Sequence, residues 1–348
     1  MVENRRVYLS FVVPCYNSED YMARCVESLL PGGENVEIII IDDGSKDRTG
    51  AIADEYQKKY PSLIKVIHKE NGGHGSGVNA GLACAQGIYF KVVDSDDWLD
   101  GEACRKLLEK IKFFCGKEKG EERPDLFVCN YVYNHLEENV THSIGYGNVF
   151  PKEKICHWSE IGHFLPSQYL VMHALVYRTE VLRQSGIVLP EHTFYVDNLF
   201  AYCPLPYVKN LFYMDIDLYQ YYLGREDQSV NEQVLKRRID QQIKVTKLVI
   251  ASTDLEKIRE KEPKLASYMC RNISIMMAIS SIHLLLIGND EALEKREKLW
   301  EEIKTSDSKL YHRLKYASIS GWTDLPGKMG GKLTILGYRL ARAVYQFQ

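Results

Sequence analysis

Three carboxylates crowd the stretch Asp94-Ser95-Asp96-Asp97, directly after a predicted strand from Tyr89 to Val93. Like charges this close repel one another unless a cation or hydrogen-bond donors neutralise them. Hard divalent ions such as Mg²⁺ and Mn²⁺ prefer carboxylate oxygens, and a site with few protein ligands leaves positions for a diphosphate. A solvated turn that caps the next helix is the alternative, and the stretch alone supports both. Its position at a strand end favours the metal.

The elements around these carboxylates alternate between strand and helix. Runs of β-branched and apolar residues predict strands, and apolar residues recurring every three or four positions predict helices. The predicted strands are 7–13, 36–41, 64–68 and 89–93, and the helices begin at a Ser18 cap, at Asp47 or Thr49, and at Val78. Alternation at crossover length predicts an α/β fold, a mostly parallel sheet with helices on both faces. Ligands of such sheets bind beyond the carboxyl ends of the strands.

The loops after the second and third strands each allow two interpretations. Asp42-Asp43-Gly44-Ser45 has the composition of a tight turn, but a carboxylate at this strand end also holds a base or a ribose, which we favour. The stretch from Gly72 to Gly77 leads into a helix N-terminus that could face a phosphate. It matches neither the Walker A pattern nor G-x-G-x-x-G after a first strand. A flexible loop explains it as well.

Two charged residues farther along are candidates for chemistry. Asp197 opens a helical pattern in apolar surroundings, and that stretch alone favours a helix cap. The aromatic run from Leu218 to Leu223 is predicted to be core, while Arg225 after it could reach a phosphate. The histidines and cysteines form no metal-ligand spacing, so each is predicted to be structural.

Beyond residue 225 the pattern changes to long charged helices, including 232–252 and 291–304. This change predicts a catalytic domain over 1–225 and a helical C-terminal region over 226–348. A long uncharged run, Asn272 to Asn289, is interrupted by serines and a histidine. It predicts a buried helix rather than a membrane span.

The composition of the chain limits which partners and which cellular compartment we expect. The chain has 348 residues and a formal net charge of −3, so its overall charge gives no argument for nucleic-acid binding. Its nine cysteines never form C-x-x-C, and Met1 to Ser10 lacks an apolar signal core. We therefore expect reduced thiols in the cytosol.

The segment from Leu310 to Gln348 is the one basic region, with Asp324 as its only acidic residue. Apolar residues recur there at helical spacing: Leu333, Leu336, Leu340, Val344 and Phe347. Such a helix suits an anionic membrane surface. Packing onto its own domain is the more common outcome and is favoured on the sequence alone.

Five motifs, in this order along the chain, resemble those of inverting glycosyltransferases of family 2, which have a GT-A fold. They are Val-Val-Pro-Cys-Tyr-Asn at 12–17, Ile-Asp-Asp-Gly-Ser at 41–45, Asn-Gly-Gly at 71–73, Asn-Ala-Gly at 79–81 and Val-Asp-Ser-Asp-Asp-Trp at 93–98. Each motif is weak alone, but their order is specific. The resemblance covers about the first 225 residues and implies a GT-A domain, Rossmann-like, followed by the helical extension.

The resemblance also implies roles for individual residues. Tyr16 and Asp43 would hold the nucleotide base, Asp94 the ribose, and Asp96 the Mn²⁺ or Mg²⁺ ion on the diphosphate, with Asp97 as a second metal ligand. Asp197 matches the general base. The remaining residues expected to bind the nucleotide-sugar are Pro14, Asn17, Asn79, Ser95 and Arg225.

The expected reaction is inverting, metal-dependent transfer of a sugar, from a UDP-sugar, to a hydroxyl of a glycan or lipid-linked acceptor in cell-surface polysaccharide synthesis. It would take place in the cytoplasm, with the enzyme peripheral on the inner face of the cell membrane. A sugar-1-phosphate nucleotidyltransferase needs a similar sheet and metal. A non-catalytic module that binds a nucleotide-sugar or a membrane surface is the non-enzymatic alternative.

Overall fold

The structure is a computed structural model that describes residues 6–117, 122–135, 138–166, 168–224 and 232–345. The chain divides into two compact units, Met1–Gly224 and Arg225–Gln348, called here the N-terminal and the C-terminal unit.

The N-terminal unit is built on one ten-stranded sheet. Its path runs β3-β2-β1-β4-β9-β6-β10-β5, with β7 paired to β6 and β8 to β10. The strands are β1 Leu9–Cys15, β2 Val36–Asp42, β3 Ile64–His68, β4 Tyr89–Val92, β5 Trp98–Leu99, β6 Leu126–His135, β7 Val140–Ile144, β8 Ile155–Cys156, β9 Leu175–Arg178 and β10 Leu211–Leu223.

Helices connect these strands at crossover length in the first part of the unit. They are α1 Met22–Leu29, α2 Thr49–Lys59, α3 His74–Cys84, α4 Gly101–Gly116, α5 Thr179–Ser185 and α6 Asp197–Tyr202. Short 3₁₀ turns span Leu30–Asn35, Trp158–Glu160, Met172–Ala174 and Leu205–Tyr207.

The first four strands are parallel, as the sequence predicts, and their register aligns their carboxyl ends. Val12 lies opposite Ile39 on β2 and Val92 on β4. These strands are almost wholly apolar because helices cover both faces of a parallel sheet. The residues that follow β1, β2, β3 and β4 therefore meet at one edge, called here the carboxyl edge.

The second half of the sheet is mixed. β9 pairs antiparallel with both β4 and β6, whereas β10 runs parallel to β6. These added strands bring residues from late in the chain to the carboxyl edge.

The predicted Ser18 cap is wrong. α1 begins at Met22, its N-cap is Tyr21, and no side chain caps it. The Ser18 hydroxyl instead lies 2.8 Å from the Ser95 hydroxyl, so it joins the loop after β1 to the acidic stretch. A contact between distant residues has replaced the local cap.

The described part of the C-terminal unit is helical. It contains α7 Glu232–Arg237, α8 Ile239–Ala251, α9 Leu255–Lys261, α10 Pro263–Ile287, α11 Asp290–Ser306, α12 Ser308–Tyr316, α13 Ile319–Trp322 and α14 Gly327–Tyr345. α10 is long and apolar enough to cross a membrane by length and composition alone, but 56% of its most apolar window is buried inside the structure. It is the helix around which the unit packs, as expected for the uncharged run.

Candidate active site

Asp94 lies at the carboxyl edge between two histidines. The Nε2 atom of His74, the first residue of α3, lies 2.7 Å from Asp94 Oδ1, and the Nε2 atom of His173 lies 3.3 Å from Oδ2. Burial opposes ionisation of this carboxyl group, but the two imidazoles outweigh it and hold the pKa of Asp94 well below its usual range. Asp94 is therefore ionised, and a histidine contacts each of its two oxygens.

Asp97 is fully buried and is bonded through both of its oxygens. The Tyr219 hydroxyl donates to Oδ2 at 2.6 Å, and the Tyr222 backbone N–H donates to Oδ1 at 2.8 Å. Burial, together with the nearby Asp96 and Asp94, raises the pKa of Asp97 well above its usual range. Asp97 thus fastens the end of β10 to the acidic stretch.

A divalent ion fits this corner of the structure. Asp94, Asp97 and His173 each offer a ligand atom, and these atoms lie within 4.8 Å of one another. Two carboxylates with one imidazole form a donor set that Mn²⁺ accepts. Asp97 is the weaker donor because both of its oxygens already accept hydrogen bonds. Asp96, the expected principal ligand, is not part of this group; its backbone carbonyl accepts a bond from Arg24 at 2.8 Å.

His173 was not predicted as a functional residue. It lies 79 positions from Asp94 in a 3₁₀ turn before β9, and no motif marks it. Its ring stacks on Tyr219, with centroids 4.5 Å apart and planes 19° apart. The imidazole is therefore fixed in orientation beside the two aspartates.

Lys91 is a second residue that the sequence did not reveal. It is fully buried on β4, and its Nζ atom donates to the His173 carbonyl at 2.7 Å and lies 4.9 Å from the Tyr219 ring centroid. Burial lowers the pKa of Lys91 to about 8. Lys91 and Tyr219 together hold the turn that carries His173.

Asp43 is buried at the end of β2, where three donors hold its carboxylate. Lys69 Nζ and the Gly72 N–H donate to Oδ1 at 2.7 and 3.0 Å, and the Gly73 N–H donates to Oδ2 at 2.7 Å. Its neighbour Asp42 lies 2.9 Å from His68 Nδ1. Asp43 therefore binds the glycine-rich stretch to the carboxyl edge.

The glycines after β3 permit a close approach of the chain near residue 190. A Cβ atom on Gly75 would lie 2.9 Å from the Leu189 Cβ, and the His192 N–H donates to the Gly72 carbonyl at 2.6 Å. Asn79 adds two bonds to the Leu189 backbone, at 2.8 and 3.0 Å. This packing fixes the segment that leads to Asp197. It makes the flexible-loop interpretation of these glycines wrong.

Asp197 is the first residue of α6, but it does not cap the helix. The N-cap is Val196, and no side chain makes a capping bond, so the cap interpretation is wrong. Burial raises the pKa of Asp197, and the nearby Asp94 raises it further. The histidines His173 and His74 lower this pKa, but the net shift is upward. Asp197 thus shares one electrostatic environment with the Asp94 cluster.

The remaining predicted residues that the structure describes lie on β1 and in the loops after β1 and β4. Pro14 is buried on β1, Tyr16 has 49% of its surface exposed, and Asn17 has φ 49° and accepts a bond from the Lys46 N–H at 2.9 Å. Ser95 contacts Ser18, as described above. Arg225 lies outside the described residues.

A sheet of this topology with an acidic carboxyl edge defines the GT-A class. Residues 10–116 match the model of glycosyl transferase family 2. Glycosyltransferase GlyG of Streptococcus pneumoniae serotype 4 is 35% identical over 133 residues, which are 38% of this chain and 41% of GlyG. The minor teichoic acid biosynthesis protein GgaB of Bacillus subtilis is 40% identical over 91 residues, 25% of this chain and 10% of GgaB.

Among solved structures, residues 1–349 of TarS from S. aureus, in complex with UDP-GlcNAc, have the same fold. The TM-score is 0.66 at 16% identity, covering 96% of this chain and 92% of that chain. The chain spans well under half the length of the curated relatives it matches. Over residues 10–116, within its N-terminal unit, the chain matches glycosyltransferase family 2. The predicted family, GT-A fold and helical extension are confirmed.

Proposed function

We propose that this protein is a metal-dependent inverting glycosyltransferase that moves a sugar from a UDP-sugar to a hydroxyl group of a cell-surface glycan or its lipid-linked precursor. The observation that carries the proposal is the cluster at the carboxyl edge, where Asp94 lies 3.3 Å from His173 and Asp197 shares their electrostatic environment. Carboxylates with opposite pKa shifts in one site are typical of catalytic centres.

The donor would bind at the ends of β1, β2 and β4. Tyr16 offers an exposed aromatic face for the base, and Asp43, fixed by its three donors, offers acceptor lone pairs nearby. The TarS complex with UDP-GlcNAc supports a uridine donor. Asp94, Ser95, Asn17, Pro14 and Arg225 remain the proposed contacts to the ribose and phosphates, whereas the Asn79 amide acts through Leu189.

Asp94 and His173 would hold the Mn²⁺ or Mg²⁺ ion, with Asp97 and the predicted ligand Asp96 beside them. A bound divalent ion neutralises the charge that develops on the departing nucleoside diphosphate. The protein supplies a rigid arrangement, because Lys91 and Tyr219 fix His173 while Tyr219 and Tyr222 fix Asp97.

Asp197 would take the proton from the acceptor hydroxyl. Its raised pKa brings the carboxylate closer to the pH at which a general base is efficient. The activated hydroxyl attacks from the face opposite the leaving group, which inverts the anomeric centre. The name of GgaB supports a cell-surface polymer as the acceptor, and we place the reaction at the cytoplasmic face of the membrane.

The test is a product assay with the full chain, UDP-sugars, Mn²⁺ and lipid-linked or polyol acceptors. We expect release of UDP, loss of that release in Asp94→Asn, and normal release in Asp290→Asn, a matched change at an exposed carboxylate on α11. Release of pyrophosphate from UTP and a sugar 1-phosphate would instead favour nucleotidyl transfer. Donor binding without turnover on any acceptor would favour a binding module.

A further inference from the structure

Helix α14 exposes four large apolar side chains. Met329, Leu333, Leu336 and Leu340 are 79%, 57%, 55% and 61% exposed. Their spacing of three and four residues places them on one face of the helix. A surface helix ordinarily turns such a stripe toward the core.

The opposite face of α14 is the one that packs within the C-terminal unit. A Cβ atom on Gly330 would lie 2.7 Å from the Leu325 backbone, and one on Gly331 would lie 3.3 Å from Leu285. The Thr334 hydroxyl donates to the Trp322 carbonyl at 3.1 Å. These close contacts need small residues, so the rotation of the helix is fixed and its leucines point outward.

Large apolar residues just before α14 are exposed as well. Tyr316 and Trp322 are 73% and 74% exposed, and Ile319 between them is 57% exposed. The Trp322 carbonyl accepts the Thr334 bond, so the Trp322 backbone meets α14 on its packed side. Tyrosine and tryptophan are the side chains preferred at the boundary between lipid and water. We call the four exposed α14 residues the apolar face.

The charge around the apolar face is positive and uncompensated. Lys332 and Arg339 are exposed on α14 beside the leucines, and neither forms a salt bridge within the described residues. Asp324, the only acidic residue of 310–348, is already paired with Arg296 at 2.7 Å and with Lys315. Among the described residues, Lys332 and Arg339 thus offer an anionic partner two cations without an ion pair, and Asp324 is already neutralised.

We propose that the apolar face docks on the surface of an anionic lipid bilayer. Leucines in the acyl boundary and cations toward the phosphates form the arrangement of an interfacial helix. A second copy of the chain fits less well, because a two-fold contact through this face would bring Lys332 and Arg339 close to their own counterparts. The docking goes beyond sugar transfer, since it needs none of the residues at the carboxyl edge.

The test is sedimentation of the full chain with vesicles of neutral phosphatidylcholine and with vesicles containing about one-third phosphatidylglycerol. Binding is expected to the anionic vesicles at low salt and to fall as salt rises. Leu333→Ser/Leu336→Ser/Leu340→Ser should reduce the partition coefficient by about tenfold or more, because three apolar side chains no longer insert. Lys332→Gln/Arg339→Gln should remove most of the preference for anionic lipid.

Two controls match these variants. Val188→Ser changes a side chain that is 78% exposed in the N-terminal unit, and Lys58→Gln/Lys106→Gln removes two exposed cations there. Both should bind vesicles like the parent. All variants should keep the parent circular dichroism and the parent rate of UDP release in solution, which separates docking from the proposed activity.

Three results would overturn the proposal. The first is no binding of the parent to anionic vesicles at low salt, and the second is equal binding by the parent and the triple serine variant. The third is a dimer in light scattering that the triple serine variant abolishes, since the apolar face would then belong to a second copy.

Discussion

The carboxyl edge and the apolar face of α14 depart in opposite ways from the usual distribution of polar groups on the surface and apolar groups inside. At the edge, Asp43 and Asp97 are buried and Asp94 is partly buried, and groups of the same unit bond to each carboxylate. On α14, apolar groups are exposed while glycines occupy the packed side. Neither arrangement is the most stable use of its residues. The difference indicates that the edge is prepared for a polar ligand and α14 for an apolar environment.

The largest expected effect separates chemistry from binding at the edge. Asp197→Asn should lower transfer by about 10²-fold or more, because a positioned general base is lost. Donor affinity, measured by calorimetry with a UDP-sugar, should stay at the parent value. Asp290→Asn serves as the matched control. Full transfer by Asp197→Asn would remove Asp197 from the mechanism and make Glu191 the next candidate.

Asp96→Ala tests the ligand that the family resemblance assigns. We expect loss of metal-dependent turnover with the fold intact, since the change also relieves repulsion among three carboxylates. The measurement is UDP release across a Mn²⁺ titration, with thermal unfolding as the check on folding. Near-normal turnover with unchanged Mn²⁺ dependence would show that Asp96 is not a metal ligand and would favour a site built on Asp94 and His173.

Lys91→Met sharpens the comparison because it makes the buried edge more apolar. Removing the buried donor leaves the His173 carbonyl unpaired, so the free energy of unfolding should fall by about 1–3 kcal/mol. Turnover should also fall severalfold, and the Mn²⁺ concentration needed for half-maximal rate should rise, because the turn that carries His173 is no longer held. Equal metal dependence in both proteins would reduce Lys91 to a core residue.

The smallest expected effect is a pH dependence of stability at the end of β3. The bonds to Asp42 and Asp54 raise the pKa of His68. The stability that protonated His68 contributes is therefore complete below its unfolded pKa of about 6.5 and is lost as the pH rises through the higher folded pKa. His68→Gln should lower the melting temperature at pH 6 but not at pH 9. The cost should be about 0.5 kcal/mol or less, since this side chain is half exposed. An equal drop in melting temperature at both pH values would exclude the charge of His68 as the cause.

Local sequence patterns correctly predicted the elements whose structure depends on local interactions. β3 occupies the predicted Ile64–His68, because an apolar run bounded by turns has few alternatives. Ser18 and Asp197 were both interpreted as helix caps, and both failed, because their side chains face distant partners or the site. His173 could not be predicted: no local pattern marks it, and only the pairing of β9 with β4 brings it to Asp94.

The orientation of α14 could not be predicted from local sequence patterns either. The sequence contains its apolar stripe, but docking on a membrane and packing on the protein need the same spacing. The contacts of Gly330 and Gly331 decide which face turns inward, and those contacts depend on Leu325 and Leu285, which the helix pattern does not include.

The most direct test of the account is the affinity of Mn²⁺ for the protein in the presence of UDP, measured by electron paramagnetic resonance on the parent and on His173→Phe. Phenylalanine keeps a ring to stack on Tyr219 but offers no ligand nitrogen. His142→Phe, at an exposed histidine on β7, is the control. We predict that His173→Phe weakens UDP-dependent Mn²⁺ binding by about tenfold or more and that His142→Phe does not. Equal Mn²⁺ affinity in the parent and His173→Phe would contradict a metal site built on Asp94 and His173.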